Sequence, residues 1–332
     1  MSTIDKFNLR QVIIDSPTYF KDGLVLAKDI KIQGAFKRIC ISGMGGSSLP
    51  ADVLNDLLSH QKTLKDLEII INRSYSLPQK AKNECLNIFA SYSGSTEETI
   101  SSFNEALQEK LPSLAIAHGG KIIEMAEKND IDVILLPEVI QPRYALNYFI
   151  AIFTTLVANM GFVEDISNDI LASLDEVSKK MDALEKQGKL LSRKLFKKTP
   201  LIHTSSRYES LARIWKIKIN ENAKNPAFYN VYPELNHNEM IGYTSPQTNF
   251  HVIALLDRND HPQIIKRMEI TAALLKKKGI ETSVIDLTDP SFLNTLFSGL
   301  ILGDWTSYYL ALAYDQDPTP VEMVEDLKKL LV

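Results

Sequence analysis

The sequence predicts a two-domain α/β protein in which each domain has a mostly parallel sheet flanked by helices. Short apolar runs of strand length alternate with segments of helical period, and this alternation is typical of βαβ units. The length of 332 residues exceeds the usual size of one domain. A polar, charged helical stretch at 164–198 separates two halves with similar patterns. We therefore predict one domain at 1–161 and a second, including this linker helix or helical hairpin, at 162–332.

The first half contains five apolar runs separated mostly by helical patterns. The predicted strands are 38–42, 67–71, 87–92, 113–117 and 133–136. The predicted helices are 51–59, 96–110, 121–129 and the long apolar stretch 146–163. Because crossovers between parallel strands are right-handed, helices cover both faces of such a sheet. The prediction for this half is a doubly wound sheet of five strands.

The second half has the same architecture without a clear residue-level repeat. The predicted strands are 200–204, 227–231, 250–255 and 282–287. The predicted helices are 208–223, 262–278, 291–313 and 320–331. Both halves place serines after a strand. The shared architecture predicts a mostly parallel, five-stranded sheet here too.

Composition and charge indicate a globular protein of a reducing compartment. Hydrophobic residues make up 45%, charged residues 23%, and the net charge is -4. Nucleic-acid binding is not expected, because it usually needs a basic excess. Two cysteines, Cys40 and Cys85, make no disulfide framework. No apolar segment follows a basic one at the N-terminus, so we expect no signal peptide and a cytoplasmic location.

The apolar stretch 146–163 could be either a membrane span or a buried helix. It is nearly long enough to span a bilayer. It contains Asn147, Thr154, Thr155 and Asn159, and it lacks flanking cations beyond Arg143. A helix that is apolar on most faces also occurs in a large core or a subunit interface. We expect the buried helix and no membrane association.

The first glycine-rich turn, at 42–48, follows the first predicted strand and opens a helix. Glycines let an anion approach backbone amides, and a helix N-terminus adds partial positive charge. A phosphate or a dinucleotide could bind here. The dinucleotide fingerprint, however, needs a third glycine where Ser48 stands, and an acidic residue where the second strand ends in Asn72-Arg73. This disfavours NAD, while Arg73 leaves NADP open. We expect no cofactor.

The second turn, at 91–99, follows the third predicted strand and is rich in hydroxyl groups. Ser93, Ser95 and Thr96, with the amides that start the helix, could donate to a phosphate. The alternative is a capping box, with Ser95 at the N-cap and Glu98 three residues later. Ligands of open α/β sheets bind beyond the carboxyl ends of the strands. Two such turns in one sheet favour phosphate binding.

These turns, GMGGSS and SYSGST, resemble the SIS (sugar isomerase) domain. The chain also resembles the bifunctional phosphoglucose/phosphomannose isomerases through three further motifs, which occur in the same order as in that family. The motifs are NENAK at 220–224, PELNHNE at 233–239 and DPTPV at 317–321. The resemblance spans nearly the whole chain. It implies two SIS-type, flavodoxin-like domains and an aldose–ketose isomerase of carbohydrate metabolism, in glycolysis and gluconeogenesis. Its expected substrates are fructose, glucose and mannose 6-phosphates, interconverted through a cis-enediol.

The resemblance also implies the residues of the site. The phosphate-binding positions are Gly46, Ser47, Ser91, Ser93 and Thr96, with Ser95 where family loops often have asparagine. The catalytic positions are Glu221 as the base, His237 for ring opening, Arg143 and Lys328. Because Lys329 follows Lys328, the lysine assignment could be one residue off.

The chemistry suits these residue types. One glutamate can move a proton between C1 and C2, histidine titrates near neutral pH, and a cation stabilises a developing oxyanion. Each residue also has a structural alternative. Glu221 could be an ordinary glutamate near a helix end, His237 a surface histidine, and Lys328 a solvated lysine. Arg143 could form an ion pair at a helix start, with Glu138.

The sequence offers no clear metal site, and two other functions remain as alternatives to the isomerase. No pair among the six histidines has a familiar ligand spacing, which predicts a metal-independent reaction. The alternative function is a non-catalytic SIS-domain sensor of sugar phosphates, although no helix-turn-helix module is evident. A fragment of glucosamine-6-phosphate synthase is a third hypothesis, which would need an N-terminal cysteine where this chain starts Met1-Ser2. The resemblance implies a homodimer in which the histidine reaches across the interface.

Overall fold

The computed structural model describes residues 3–60 and 67–331. The chain divides into two compact units. The first unit contains residues 15–172, and the second unit contains residues 3–14 together with 173–331.

Strands and helices alternate through most of the described residues. The strands are β1 Arg38–Ser42, β2 Glu68–Asn72, β3 Cys85–Ala90, β4 Ser113–Ala117, β5 Val133–Leu135, β6 Thr199–Ser205, β7 Phe228–Tyr232, β8 Phe250–Leu256 and β9 Glu281–Asp286. The first helices are α1 Leu9–Asp15, α2 Tyr19–Ala27, α3 Leu49–Ser59, α4 Glu97–Gln108, α5 Lys121–Lys128 and α6 Leu146–Asn159. The others are α7 Ser167–Lys179, α8 Met181–Leu195, α9 Glu209–Ala223, α10 Glu239–Gly242, α11 Pro262–Lys277, α12 Phe292–Ala313 and α13 Glu322–Leu330.

The first unit contains a fully parallel sheet in the order β2-β1-β3-β4-β5. This is the flavodoxin-like doubly wound order. Strand β3 is buried along its whole length, as expected for a strand covered on both faces. The predicted five-stranded sheet is confirmed. The order reverses between β1 and β3, so the turns after these two strands lie at the switch point where ligands bind.

Helix α6 lies in the core of the first unit. Ten of its fourteen residues are buried, and Tyr148 stacks on Tyr19 with ring centroids 5.0 Å apart. Close packing against α2 is possible because residue 23 is glycine. A Cβ there would lie 2.7 Å from the Cβ of Ala151. No helix within residues 3–60 and 67–331 is both long and apolar enough to cross a membrane.

The second unit contains a parallel sheet of four strands in the order β7-β6-β8-β9. The prediction of five strands was wrong for this unit. After β9, the long helix α12 and then α13 occupy most of the remaining chain. Helix α12 is buried along most of its length, so its apolar sequence forms the core of the unit.

Helix α12 packs closely against α9 in the second unit. The indole Nε1 of Trp215 donates a hydrogen bond of 2.8 Å to the carbonyl of Gly299. A Cβ on Gly303 would lie 2.6 Å from the same indole. A buried ion pair of 2.6 Å between Lys218 and Asp304 also joins the two helices. These contacts position the end of α9, where Glu221 lies.

The structure decides one local alternative and adds two helices. The stretch 164–198 forms two helices, α7 and α8, as the helical-hairpin alternative expects, and not a single connecting helix. Helices α1 and α2 were not predicted, because their short segments show little regular amphipathic period. Helix α2 is nevertheless tightly packed through Phe20 and Ala27, which are fully buried.

Candidate active site

The glycine-rich turn after β1 contacts the turn that carries Arg143. Residues Gly45–Ser47 form a single 3-10 turn before α3. A Cβ at Gly46 would lie only 2.6 Å from the backbone nitrogen of Arg143. Real Cβ contacts do not reach this distance, so glycine is what allows the two backbones to meet. The turn and Arg143 are therefore neighbours at the edge of the first sheet.

The hydroxyl of Ser47 links the first turn to the second. Its Oγ accepts a hydrogen bond of 3.0 Å from the backbone N–H of Tyr92, and the residue is buried. Among the described residues, none accepts the hydroxyl proton of Ser47. Because a serine hydroxyl is both an acceptor and a donor, Ser47 can still donate to an anion.

A hydroxyl pair spans the second turn. Ser91 Oγ lies 2.8 Å from Thr96 Oγ1, and Ser91 is fully buried. Whichever hydroxyl donates, one proton of the pair is left for another acceptor. Helix α4 begins at Glu97 with Thr96 at its N-cap, whose side chain makes no capping hydrogen bond. The capping-box alternative, with Ser95 at the N-cap, is therefore wrong.

Ser93 and Ser95 lie on the exposed side of the same turn. The backbone N–H of Ser95 donates to Ser93 Oγ at 3.3 Å. Between them, Gly94 has a φ of +65°, and a Cβ there would lie 1.6 Å from the carbonyl oxygen of Gly119. The turn after β4 thus packs directly on the serine turn.

Tyr92 and His118 belong to this edge, although neither was predicted as a site residue from the sequence. Their rings stack with centroids 5.3 Å apart. The Tyr92 hydroxyl accepts a hydrogen bond from the N–H of Val139 at 2.5 Å. His118 Nδ1 lies 2.9 Å from the carbonyl of Leu136. Because a carbonyl only accepts, this contact places a proton on Nδ1. Their positions just after β3 and β4 were the signal that could have identified them.

Arg143 is buried beside the two turns. It belongs to the 3-10 turn Pro142–Tyr144 and is only 2% exposed. Its Nη1 donates to Gln141 Oε1 at 3.3 Å, and its guanidinium lies 5.5 Å from the centroid of the Tyr144 ring. A cation in a low-dielectric setting acts more strongly on an anion than one in water.

Arg73 ties the end of β2 to the first turn. Its Nε donates to Ser48 Oγ at 3.0 Å, and its Nη2 lies 2.6 Å from Asp52 Oδ2. Both partners belong to the start of α3. The cation that left NADP open in the sequence is thus engaged in holding the helix that follows the glycine turn.

Glu221 lies in the last turn of α9, half-buried. The helix ends at Ala223, and the next residue, Lys224, has a φ of 53°. Lys224 Nζ donates to the carbonyl oxygens of Glu221 at 2.9 Å and of Asp317 at 2.7 Å. The neighbouring Asn222 donates to Ser307 Oγ at 2.9 Å. This end of the helix is therefore held by α12 and by the segment that contains Asp317.

His237 lies at the end of a 3-10 turn, Glu234–His237, that follows β7. The residue is exposed. Within the part of the chain that the structure describes, no group bonds to its ring. This agrees with the polar, loop-like sequence around it, and the ring is available to a ligand or to another chain.

Lys328 and Lys329 both lie on α13, and both are exposed. Lys328 pairs with Glu325 at 2.8 Å, and Lys329 pairs with Asp326 at 3.0 Å. These are ordinary surface pairs three residues apart on a helix. The choice between the two lysines stays a prediction.

The structure brings one group of predicted residues together and separates another. Gly46, Ser47, Ser91, Thr96 and Arg143 share one edge of the first sheet. Glu221 and His237, by contrast, do not meet within the second unit. Right-handed crossovers place α9 on one face of its sheet and the 233–249 connection on the other.

The contacts of the second unit agree with this separation. Leu235 and Met268 of α11 belong to one apolar cluster, whereas α9 packs on α12 through Trp215. Glu221 and His237 therefore belong to segments that pack on different faces of the second sheet.

The two doubly wound sheets and the hydroxyl-rich edge beside a buried arginine define a SIS-domain protein. Residues 184–331 match the family model described as bacterial phospho-glucose isomerase C-terminal SIS domain. A crystal structure of a hypothetical protein from Thermus thermophilus aligns with a TM-score of 0.75 at 14% identity. The alignment covers 98% of this chain and 90% of that one. At this identity the likeness shows the shared fold alone.

Sequence relatives give the family. The bifunctional phosphoglucose/phosphomannose isomerase of Caldicellulosiruptor bescii is 38% identical over 307 residues, which is 89% of each chain. The enzyme of the same name from Aquifex aeolicus is 30% identical and covers 92% of this chain and 93% of its own. The chain belongs to the family of bifunctional phosphoglucose/phosphomannose isomerases. The resemblance seen in the sequence is thereby confirmed, and the protein is an isomerase.

Proposed function

We propose that the protein interconverts fructose 6-phosphate with glucose 6-phosphate and mannose 6-phosphate through a cis-enediol, without a metal ion. Family membership carries this proposal. The hydroxyl-rich edge of the first sheet supports it, because it suits a phosphate monoester. The alternative of a non-catalytic sensor has no support among the relatives.

The first unit is the proposed phosphate-binding domain. Ser47 keeps a proton to donate, and the Ser91–Thr96 pair keeps another. The first N–H groups of α4 donate no hydrogen bond to the Thr96 side chain, and a helix N-terminus favours an anion. A phosphate has three terminal oxygens that need donors. Ser93 and Ser95 would contact it from the outer side of the turn.

Glu221 is the proposed base, carried by the second unit. Its carboxylate would take the proton from C2 of the open-chain aldose, leaving an enediolate, and return it to C1 to give the ketose. The buried guanidinium of Arg143 would stabilise the negative charge on the enediolate oxygens. Lys328 is the proposed additional cation at the sugar.

The dual substrate range follows from the same intermediate. Glucose and mannose 6-phosphates differ only at C2, which is planar in the enediol. Return of the proton to either face of C2 would therefore produce either sugar. His237 would open the closed ring first, by moving a proton at the ring oxygen.

We infer that the active form is a homodimer with a shared site. Glu221 and His237 lie on opposite faces of the second sheet, so a histidine from a second copy would complete the site of the first. The exposed, unbonded ring of His237 supports this inference. A stable active monomer on dilution in sedimentation experiments would contradict it.

We infer a cytoplasmic location. Neither Cys40 nor Cys85 forms a disulfide, and both are buried. Burial raises the pKa of Cys40 to about 12 and that of Cys85 to about 11, so these thiols are unreactive. A chain with two unpaired, protected thiols suits a reducing compartment.

The test is isomerisation of fructose 6-phosphate in EDTA, with glucose 6-phosphate and mannose 6-phosphate quantified separately. Wild type is compared with Glu221→Gln, and with Glu209→Gln in the first turn of the same helix as a control. We expect both products from wild type and the control, and collapse of turnover in Glu221→Gln. Binding without turnover in wild type would contradict the enzyme. Activity lost in EDTA and restored by zinc would contradict metal independence.

A further inference from the structure

A polar cluster lies against the second sheet beside the turn that carries His237, and the proposed function does not use it. Its centre is the carboxylate of Glu239. That carboxylate accepts hydrogen bonds from His203 Nε2 at 2.9 Å, from Asn230 Nδ2 at 2.6 Å and from the hydroxyl of Tyr243. His203 and Asn230 are paired neighbours on β6 and β7. The carboxylate therefore bridges two strands.

The cluster requires an anion at its centre. Burial alone raises the pKa of the Glu239 carboxyl, but the hydrogen bonds from His203, Tyr243 and Asn230 outweigh it and hold the pKa at about 2. The carboxylate is thus charged throughout the neutral range. Three donors converge on its two oxygens, which is a strong, geometrically specific arrangement.

The tautomer of His203 fits this role. The residue is fully buried, and no described group lies within bonding distance of its Nδ1. A buried N–H without an acceptor is costly, whereas an unfilled lone pair costs less. The proton therefore belongs on Nε2, where it is donated to Glu239. His203 acts here as a buried donor that needs this carboxylate.

Glu239 is connected to His237 through a short segment. Only Asn238 separates the two residues, and its side chain accepts from the N–H of Glu239 at 2.5 Å and donates to Glu234 at 2.7 Å. On the other side of the turn, Leu235 is fully buried in an apolar cluster. The turn is thus anchored before His237 by Leu235 and after it by Glu239.

We propose that Glu239 is a positioning residue that holds the 234–243 segment against the sheet and thereby aims the His237 ring for sugar-ring opening. The inference rests on the proposed function of His237. Because no described group bonds to that ring, its placement depends on the backbone that carries it. A displacement of about 1 Å at a reacting group can cost roughly 100-fold in rate.

An acyclic substrate separates this role from general damage. Ring opening is needed only for sugars that close a ring. Erythrose 4-phosphate cannot form a five- or six-membered ring, because its O4 carries the phosphate. Its conversion to the ketose needs the C1–C2 proton transfer alone. Loss of correct His237 placement should therefore affect fructose 6-phosphate and spare the tetrose.

The decisive variant is Glu239→Gln. The glutamine side chain keeps the shape of the glutamate, but its amide N–H₂ is a donor that would face one of the three donors around residue 239. We expect kcat/KM for fructose 6-phosphate to fall about 10- to 100-fold, mainly in kcat. Turnover of erythrose 4-phosphate should stay within about twofold of wild type, and His237→Ala should show the same selectivity. Glu234→Gln, on the same turn, keeps its acceptor for Asn238 and should retain both activities.

Tyr243→Phe provides a second variant if Glu239→Gln folds poorly. It removes one of the three donors to Glu239. We expect a smaller fall in kcat/KM for fructose 6-phosphate, again with turnover of erythrose 4-phosphate retained. Equal losses on both substrates, or no loss on fructose 6-phosphate, would overturn the positioning role. Absence of wild-type turnover of fructose 6-phosphate would instead contradict the proposed function, so the two failures are distinguishable.

Discussion

Glu221 and His237 lie on opposite faces of the second sheet, although only fifteen positions separate them in the sequence. Glu221 lies in the last turn of α9, which packs on α12, and His237 follows β7 on the face covered by α11. Strand β7 lies between them in the sequence and carries the chain from the amino end to the carboxyl end of the strands. The separation is set by crossover handedness, and it supports the proposed site shared between two copies.

Mixing two inactive variants should restore activity if the site is shared. Glu221→Gln and His237→Ala are each expected to be nearly inactive alone. In a mixed dimer, one of the two sites regains both residues, so random subunit exchange should restore about a quarter of wild-type activity. The measurement is isomerase activity after co-refolding or exchange. Mixed dimers shown by mass to form, yet inactive, would contradict the shared site.

Removing the hydroxyl of Ser47 should weaken substrate binding. A hydrogen bond to a charged group contributes about 1.5–3 kcal/mol, so Ser47→Ala should raise KM for fructose 6-phosphate about 10- to 100-fold. Thr96→Val should act in the same direction. Inhibition by inorganic phosphate should weaken in parallel. This would show that the lost binding energy came from contacts with the phosphate group of the substrate.

Ser113→Ala is the matched control for these two variants. Its hydroxyl donates to the carbonyl of Leu111 at 2.8 Å, at the amino end of β4. In this control, the KM for fructose 6-phosphate and the inhibition by inorganic phosphate should stay near their wild-type values. A KM in Ser47→Ala equal to that of the control would refute phosphate binding by this turn.

Gly46→Ala should disturb the contact between the two turns. The new Cβ would lie 2.6 Å from the backbone nitrogen of Arg143, and backbone cannot move aside as a flexible side chain can. We expect a loss of about 1–3 kcal/mol in the free energy of unfolding, together with reduced activity. Gly119→Ala, where a Cβ meets nothing within 4 Å, is the control. Equal stability of the two variants in denaturant would count against the close packing.

Breaking the buried ion pair of the second unit should be costly. Lys218 and Asp304 side chains are 3% and 10% exposed. Lys218→Met leaves a buried carboxylate without its cation and should lower the free energy of unfolding by about 3–5 kcal/mol. The double variant with Asp304→Leu should recover most of the loss, because both charges are then removed. A double variant as unstable as the single one would contradict this explanation.

Glu239 should contribute a pH-dependent part of stability. Its pKa is lowered from 4.5 to about 2 in the folded chain, so the folded state favours the charged form. The contribution is present in full above the unfolded value and is lost as the pH falls towards 2. The free energy of unfolding of wild type should exceed that of Glu239→Gln by about 1–3 kcal/mol at pH 7, because solvent screening reduces the full effect of the shift, and by less at pH 4 and pH 3. Urea unfolding at these pH values tests this, and a constant difference would be inconsistent with the titration.

Several features were readable from the sequence because they depend on local period and turn chemistry. The strands of both sheets appear as short apolar runs, and the glycine and serine turns follow β1 and β3 as expected. Family motifs identified the class of enzyme. Helices α1 and α2 escaped prediction, since tertiary packing rather than amphipathic period stabilises them. The strand count of the second sheet failed because α12 and α13 take most of the remaining chain.

The sequence by itself determined the fold class, the family and the chemical types available at the site, because these follow from residue order and spacing. Only the tertiary structure decided which of those residues are neighbours. It joined Gly46 to Arg143 and Ser47 to Tyr92, and it set Glu221 and His237 on opposite faces. It also revealed His203, which is distant from Glu239 in sequence but bonds to it where the segment that carries Glu239 packs on β6. Such contacts depend on strand order and crossover handedness, and neither is expressed in a local stretch of sequence.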